Sequence, residues 1–123
     1  MSNQDLIRQV KGIADNLTDG ITYENAGIEN EYGADADEIV SGIDYLFDAL
    51  DIEYRVSNQT GGAGRWDYLG AHILIAFGGP NIWINTRNNT VEGHWWGDSF
   101  TATYIDTMDI SGAAEELFLS RSA

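Results

Sequence analysis

The residue types best suited to chemistry lie close together at Glu92, His94 and Asp98. Two carboxylates and an imidazole could in principle hold a divalent cation that activates water, as in a metal-dependent hydrolase. The chain has only two histidines and no cysteine, which excludes thiolate zinc sites and cysteine nucleophiles. The other histidine, His72, lies in an apolar run and is expected to be a hydrogen-bonded core residue. Because no recognisable motif supplies Glu92, His94 and Asp98 with further ligands or catalytic partners, we predict no catalytic residue, no metal and no cofactor.

The first part of the chain carries most of the negative charge. The formal net charge of the 123 residues is −14. Residues 1–54 hold thirteen acidic and two basic residues, whereas residues 55–123 hold seven and four. Repulsion among like charges costs folding stability, and solubility alone does not require such an asymmetry. We therefore predict a surface that binds something positive; a solvated acidic face and adaptation to high salt are the alternatives.

The same charge disfavours several classes of partner. Proteins bind nucleic acid by replacing its counterions with Lys and Arg, and this chain has six basic residues against twenty acidic ones. An anionic membrane surface is disfavoured for the same reason. The first residues lack the basic start and apolar run of a signal peptide, and no stretch approaches the roughly 18 apolar residues of a membrane span. We expect a soluble, cytoplasmic protein; its oligomeric state is left open.

Two helices are predicted in the acidic part. Leu6, Val10, Ile13 and Leu17 recur with helical spacing, and Gly20 supplies a left-handed stop. Residues 21–34 have no clear period and are expected to form an acidic loop. A second helix is predicted from Asp35 to Leu50, with one apolar stripe and one acidic ridge. The stripe comprises Ile39, Ile43, Leu46, Phe47 and Leu50, and the ridge comprises Asp37, Ser41, Asp44, Asp48 and Asp51.

From residue 52 onward the pattern is typical of strands. Strands are predicted over 52–57, 68–77, 81–86, 90–96 and 99–105, with turns around 78–80, 87–89 and 97–98. A short helix is predicted from Ser111. Residues 1–123 are thus expected to form a single α+β domain, with an acidic helical part (1–54) and a β-sheet part with the C-terminal helix (55–123). We expect a four- to five-stranded antiparallel meander sheet, with two N-terminal helices and one C-terminal helix packed on one of its faces.

Several tryptophans fall in the predicted strands. Trp95 and Trp96 point to opposite sheet faces, so one of them must face away from the core. Glu92, His94 and Trp96 share a face by the same alternation. Aromatic side chains are enriched where proteins bind one another, although packing against neighbouring strands would also explain them. Trp83 and Trp96 are the candidate aromatic contacts.

The segment Gly78–Thr86, followed by Thr90–Asp98, resembles a pattern found in small proteins of bacteriophages and mobile elements. The resemblance covers about 20 residues that form two hairpin turns and a strand pair. It implies a phage or prophage origin. Small acidic proteins of such elements are similar in character to inhibitors of host defence, of the anti-CRISPR or anti-restriction type, many of which occupy the basic nucleic-acid channel of an effector.

Charge and resemblance together predict a non-enzymatic inhibitor that mimics nucleic acid. Its carboxylates would replace phosphates against Lys and Arg of a host nuclease, such as a CRISPR effector. The alternative is a small phage accessory or structural module that binds proteins through its sheet aromatics, and a metal-dependent hydrolase is a further one. The predicted partner-binding residues are Glu24, Glu29, Glu31, Asp35, Asp37, Asp44, Asp48, Asp51, Trp83 and Trp96.

Overall fold

A computed structural model describes residues 3–28, 35–57 and 67–120 of the chain. Helix α1 (Asn3–Asp19) follows the predicted apolar spacing and buries Leu6, Val10 and Leu17. It ends where predicted, because Gly20 has a φ of +84° and its N–H donates to the Asn16 carbonyl over 2.8 Å. In the part of the chain described, no helix is both long and apolar enough to cross a membrane.

The predicted second helix over Asp35–Leu50 is wrong in extent. Only α3 (Gly42–Phe47) is helical, and it begins after Ser41, whose side chain accepts a hydrogen bond from the Asp44 N–H. Two residues of the predicted stripe are buried or half-buried, Leu46 and Ile43. The remaining three are exposed: Ile39, Phe47 and Leu50.

Backbone pairing with an earlier segment replaces the missing helical turns. The Tyr23 N–H donates to the Glu38 carbonyl over 3.0 Å, and the Val40 N–H donates to the Ile21 carbonyl over 2.8 Å. Because these groups are satisfied across the two segments, residues 38–40 do not need helical hydrogen bonds. The short helix α2 (Tyr23–Ala26) forms in the same region, within what was predicted to be a loop.

The predicted antiparallel meander is confirmed, with five strands in chain order. The strands are β1 (Asp51–Ser57), β2 (Asp67–Ala76), β3 (Asn81–Asn85), β4 (Thr90–Trp95) and β5 (Asp98–Thr103). The turn between β4 and β5 is Trp96–Gly97, one residue earlier than predicted. Helix α4 (Ile110–Ser120) follows, and the Asp106 carboxylate accepts from the N–H groups of Ile110 and Ser111 at its start.

Helices α1 and α4 pack on the same face of the sheet. Leu6 and Val10 of α1 lie so close to Gly93 that a Cβ added there would overlap Val10 and approach Leu6 Cδ1 to 2.9 Å. On α4, the Phe118 ring lies 5.3 Å from that of Tyr54 and 5.8 Å from that of Tyr68, between ring centroids. Strand residues on this face are fully buried, including Ile73, Ile82, Ile84 and Val91. These contacts leave the other sheet face for polar residues.

Candidate interaction surfaces

Residues 22–28 and 35–48, which contain α2 and α3, form what we call the acidic lobe. The buried Tyr23 connects its two halves, because its hydroxyl donates to Asp44 Oδ2 over 2.6 Å. The same hydroxyl accepts a longer hydrogen bond, 3.4 Å, from the Ser41 N–H. Thr22 caps α2 by accepting from the Asn25 N–H over 3.2 Å. A few polar contacts thus hold α2 against the start of α3.

Six acidic residues and no basic one lie in the acidic lobe. Glu24 is next to residues 35–38, because its N–H donates to the Ala36 carbonyl over 3.0 Å. Among the described residues, no lysine or arginine forms a salt bridge with an acid of the lobe. Asp44 is half-buried, and the other five are exposed: Glu24, Asp35, Asp37, Glu38 and Asp48.

The predicted acidic residues are therefore brought together only in part. Glu24, Asp35, Asp37, Asp44 and Asp48 all lie in the acidic lobe, but the predicted helical ridge does not exist. Asp37 precedes α3 in a turn, and Asp51 is exposed at the start of β1. Glu29 and Glu31 lie outside the described residues. The sequence reasoning assigned no role to Tyr23, since a lone tyrosine in an acidic segment gives no sign of its partner.

A cavity of about 200 Å³ adjoins the acidic lobe, between α1, α2 and the end of α3. Tyr45, Asp48 and Asn25 line it, together with the apolar Ile21 and Ile75. Burial, with a smaller contribution from the Asp48 carboxylate, raises the pKa of Tyr45 to about 12. The phenol therefore stays neutral at physiological pH and adds no charge to the lobe.

A second cluster, which we call the polar sheet face, lies on the side of the sheet opposite α1 and α4. The register places His72 beside Asn85 and Trp83 beside Glu92. The His72 ring stacks on Trp83, with centroids 4.3 Å apart, and His72 Nε2 lies 3.1 Å from Glu92 Oε1. The other carboxylate oxygen, Oε2, accepts from Asn85 Nδ2 over 3.3 Å and from the Thr90 hydroxyl over 3.2 Å. Both Glu92 oxygens are therefore engaged within the fold.

This arrangement changes the interpretation of His72. The residue is hydrogen-bonded, as expected, but it is half-buried on the polar sheet face and is not part of the apolar core. The sequence did not indicate the hydrogen-bond network that His72 forms with Glu92, Asn85 and Thr90, because the contacts among these residues depend on strand register. The β2–β3 pairing contains an irregularity between Leu74 and Ala76, so the register is not evident from sequence spacing.

The structure does not assemble Glu92, His94 and Asp98 into one site. His94 pairs with Ser99 and Trp95 pairs with Asp98, so Asp98 and His94 point to opposite faces of the sheet. Within residues 3–28, 35–57 and 67–120, no group of three or more His, Cys, Asp or Glu is placed to hold a metal ion. Glu92 is also engaged by His72, Asn85 and Thr90.

The two candidate tryptophans have different environments. Trp83 is half-buried in the stack with His72. Trp96 is 85% exposed and lies in the β4–β5 turn, where it was predicted to continue the strand. Its neighbour Trp95 packs against the core, so the prediction that one of this pair faces away from the core is confirmed.

Comparisons of the chain with models of protein families, with curated proteins and with solved structures found no match. The fold and its surfaces define a small α+β protein with an acidic lobe and an aromatic turn.

Proposed function

We propose that this protein is a non-enzymatic inhibitor of a host defence nuclease, of the anti-CRISPR or anti-restriction type. The acidic lobe would enter the basic channel in which the nuclease holds DNA or RNA and would block it. The observation that carries the proposal is the gathering of six acidic residues in one lobe, with no lysine or arginine bridged to them among the described residues. A basic channel would supply the missing cations.

The spacing of the charges supports mimicry of a nucleic-acid strand. Asp35, Asp37 and Glu38 lie within four consecutive residues, which span at most about 10 Å of chain. The mean spacing of these three residues along the chain is then about 5 Å or less, compared with about 3.4 Å per phosphate along one DNA strand. Glu24 adds a further charge beside Ala36.

The partner is accordingly a basic protein of the host cytoplasm, and nucleic acid is a competitor for the same channel. Association should be fast at low ionic strength, because opposite fields steer the two proteins together. It should weaken steeply as salt screens the exposed carboxylates.

The test compares two double charge reversals in the full chain. Asp35→Lys with Asp37→Lys changes the acidic lobe, and Glu115→Lys with Glu116→Lys makes the same charge change on the exposed side of α4. Asp44 is avoided, because its carboxylate accepts the Tyr23 hydroxyl proton in a hydrogen bond. DNA cleavage by a panel of purified RNA-guided and restriction nucleases is measured with each protein at low and high salt.

We expect the natural chain to inhibit at least one nuclease of the panel, and high salt to relieve the inhibition. The lobe variant should lose at least tenfold in potency, and the α4 variant should stay within about twofold, since its charges lie outside the contact. Equal losses in the two variants, or no inhibition of any nuclease in the panel, would contradict the proposal.

A second candidate function is a protein-binding module that uses the aromatic residues of the sheet. The observation in its favour is the 85% exposure of Trp96, since large aromatics at protein surfaces are typical binding anchors. This function predicts that Trp96→Ala abolishes binding, that salt has little effect, and that the lobe variant binds normally. The lobe variant and the dependence of binding on salt therefore separate the two functions.

A further inference from the structure

A cleft of about 510 Å³ lies at the end of the sheet, between the β2–β3 turn and the β4–β5 turn. Its walls include Trp95 and Trp96, and its polar atoms come from Asn81, Asp98 and Ser99. Gly78 and Gly79 form the opposite side, where side chains do not restrict access. The cleft is separate from the Tyr23–Asp44 contact that holds the acidic lobe.

The two tryptophans form a corner in this cleft. Their ring centroids are 5.8 Å apart and their planes meet at 88°. One indole, that of Trp95, packs against the core, while the other is 85% exposed. A ligand in the cleft could therefore lie against the face of Trp96 while Trp95 keeps the corner in place.

Turn geometry does not account for a tryptophan at position 96. Trp96 has a φ of +48° and Gly97 a φ of +83°, as the two central residues of a type I′ hairpin require. Asn is favoured at the first of these positions, and a bulky residue with positive φ is strained. The β3–β4 turn has Asn89 at a similar φ of +54°. A strained, exposed side chain of this kind points to a role in binding.

The chemistry of the cleft favours a cation. Aromatic faces carry partial negative charge, and the indole of Trp is the best aromatic partner for a cation. Asp98, which pairs with Trp95 across the turn, is an acidic residue that lines the cleft, and no lysine or arginine is among the lining residues. The formal net charge of −14 attracts cations and repels anions. His94 also lines the cleft.

We propose that this cleft receives an arginine side chain of the basic partner, with the guanidinium stacked on Trp96 and paired with Asp98. Arginine fits better than lysine, because its planar group stacks on aromatic rings and presents five donors to surrounding acceptors. Asn81 and Ser99 supply such acceptors at the rim. The inference rests on the proposed function for the source of the arginine, and it gives the complex a second contact that is less sensitive to salt than the acidic lobe.

The test titrates the full chain with small probes and follows the Trp95 indole N–H and the Gly97 backbone N–H by nuclear magnetic resonance, because both line the cleft and remain when Trp96 is replaced. The probes are N-acetyl-arginine amide, its uncharged isostere N-acetyl-citrulline amide, N-acetyl-lysine amide and methyl glucoside. We expect millimolar binding of the arginine probe, weaker binding of the lysine probe, and at least fivefold weaker binding of the citrulline probe. Asp98→Asn should weaken arginine binding about fivefold, and Trp96→Asn should abolish it.

Two controls keep the result interpretable. Trp96→Asn suits the type I′ turn, and urea denaturation of this variant shows independently that it is folded when its loss of binding is measured. Asp37→Asn removes one negative charge from the acidic lobe and should leave arginine binding unchanged.

Three results would overturn the inference. Equal binding of the arginine and citrulline probes would show that charge is not recognised. Binding of methyl glucoside without arginine would identify a saccharide site instead. An equal loss from Asp37→Asn would indicate attraction by overall charge only. Because the probes contain no part of the partner, any of these results leaves nuclease inhibition by the acidic lobe intact, and the cleavage assay judges that proposal separately.

Discussion

The sheet with α1 and the acidic lobe are stabilised in different ways. Fully buried aliphatic side chains join α1 to the sheet, and their fit at Gly93 leaves no room for a single methyl group. The acidic lobe contains short helices of four and six residues and is joined by the hydrogen bonds of Tyr23 and by backbone pairing. Hydrophobic burial therefore joins α1 to the sheet, whereas the acidic lobe combines buried Val40 and Leu46 with directional polar contacts.

Because of this difference, the residues that stabilise the fold are largely distinct from the exposed residues that carry the negative charge. Like charges placed close together destabilise the chain that carries them, so a densely acidic segment needs a well-packed support. Here α4 provides such support, since a Cβ added at Gly42 of α3 would lie only 3.0 Å from the Ala113 Cβ. All the lobe's acidic residues except Asp44 are exposed. Substitutions in the two regions should consequently differ in size and in sensitivity to salt.

The largest effect is expected at the contact between α1 and the sheet. Gly93→Ala places a methyl group against Val10 and Leu6, and such overpacking should lower the free energy of unfolding by about 2–3 kcal/mol. Gly12→Ala is the matched control on α1, because no atom outside its own helix lies within 4 Å of the added Cβ. Better helix propensity should raise the stability of that variant by about 0.5–1 kcal/mol. Urea denaturation measures both, and a neutral Gly93→Ala would show that the interface adjusts.

The next effect tests the polar connection inside the acidic lobe. Tyr23→Phe removes the donor to Asp44 and should cost about 1–2 kcal/mol, because the lost hydrogen bond involves a charged acceptor. Tyr104→Phe is the control near the sheet, since the Tyr104 hydroxyl is buried with no hydrogen-bond partner in the described part of the chain. Its removal should be neutral or stabilising. Equal costs for the two variants, measured by thermal unfolding, would mean that the hydroxyl–carboxylate bond contributes little.

A gain in stability is expected at the β4–β5 turn. Trp96→Asn replaces a strained residue with one that the type I′ turn favours, and should stabilise the fold by about 1 kcal/mol. Asn89→Trp makes the reverse change at the similar φ of the β3–β4 turn and should destabilise by a similar amount. If Trp96→Asn destabilises the fold in urea denaturation, the indole contributes packing that outweighs its strain.

The smallest effect concerns the charge itself. Asp35→Asn with Asp37→Asn should raise the free energy of unfolding by about 0.5 kcal/mol at low salt, because it relieves repulsion within the acidic lobe. The gain should disappear in about 0.5 M salt, where screening is strong. Glu115→Gln with Glu116→Gln on α4 should give a smaller gain. A larger gain on α4 would place the main repulsion outside the acidic lobe.

The regular elements of the fold could be predicted because their side chains repeat with the period of the structure. The spacing of Leu6, Val10 and Leu17 predicts α1, and the turns predicted at 78–80 and 87–89 separate strands that are neighbours both in sequence and in the sheet. The prediction of the second helix was wrong in extent. Its apolar residues have helical spacing, but Ile39 and Phe47 are exposed in the structure. Pairing of residues 38–40 with 21–23 is a tertiary effect, and local periodicity carries no information about it.

The candidate sites were predictable only as residue types. Acid content indicated the lobe, and alternation indicated that Trp95 and Trp96 differ in exposure. The partners within each site were not predictable, because Tyr23 meets Asp44 across 21 positions and His72 meets Glu92 across 20. Contacts of this range depend on strand register and on how segments pair in three dimensions.

The packing of α1 also has a consequence for synthesis on the ribosome. Val10 meets position 93, about 80 residues later in the chain. At a synthesis rate of about 5–20 residues per second, the ribosome needs on the order of 4–16 s to add these residues. Until then, the strand against which the apolar side of α1 packs does not exist. During that interval the nascent chain offers an unshielded amphipathic segment to chaperones and proteases, and only the completed hairpin of β4 and β5 removes it from their reach.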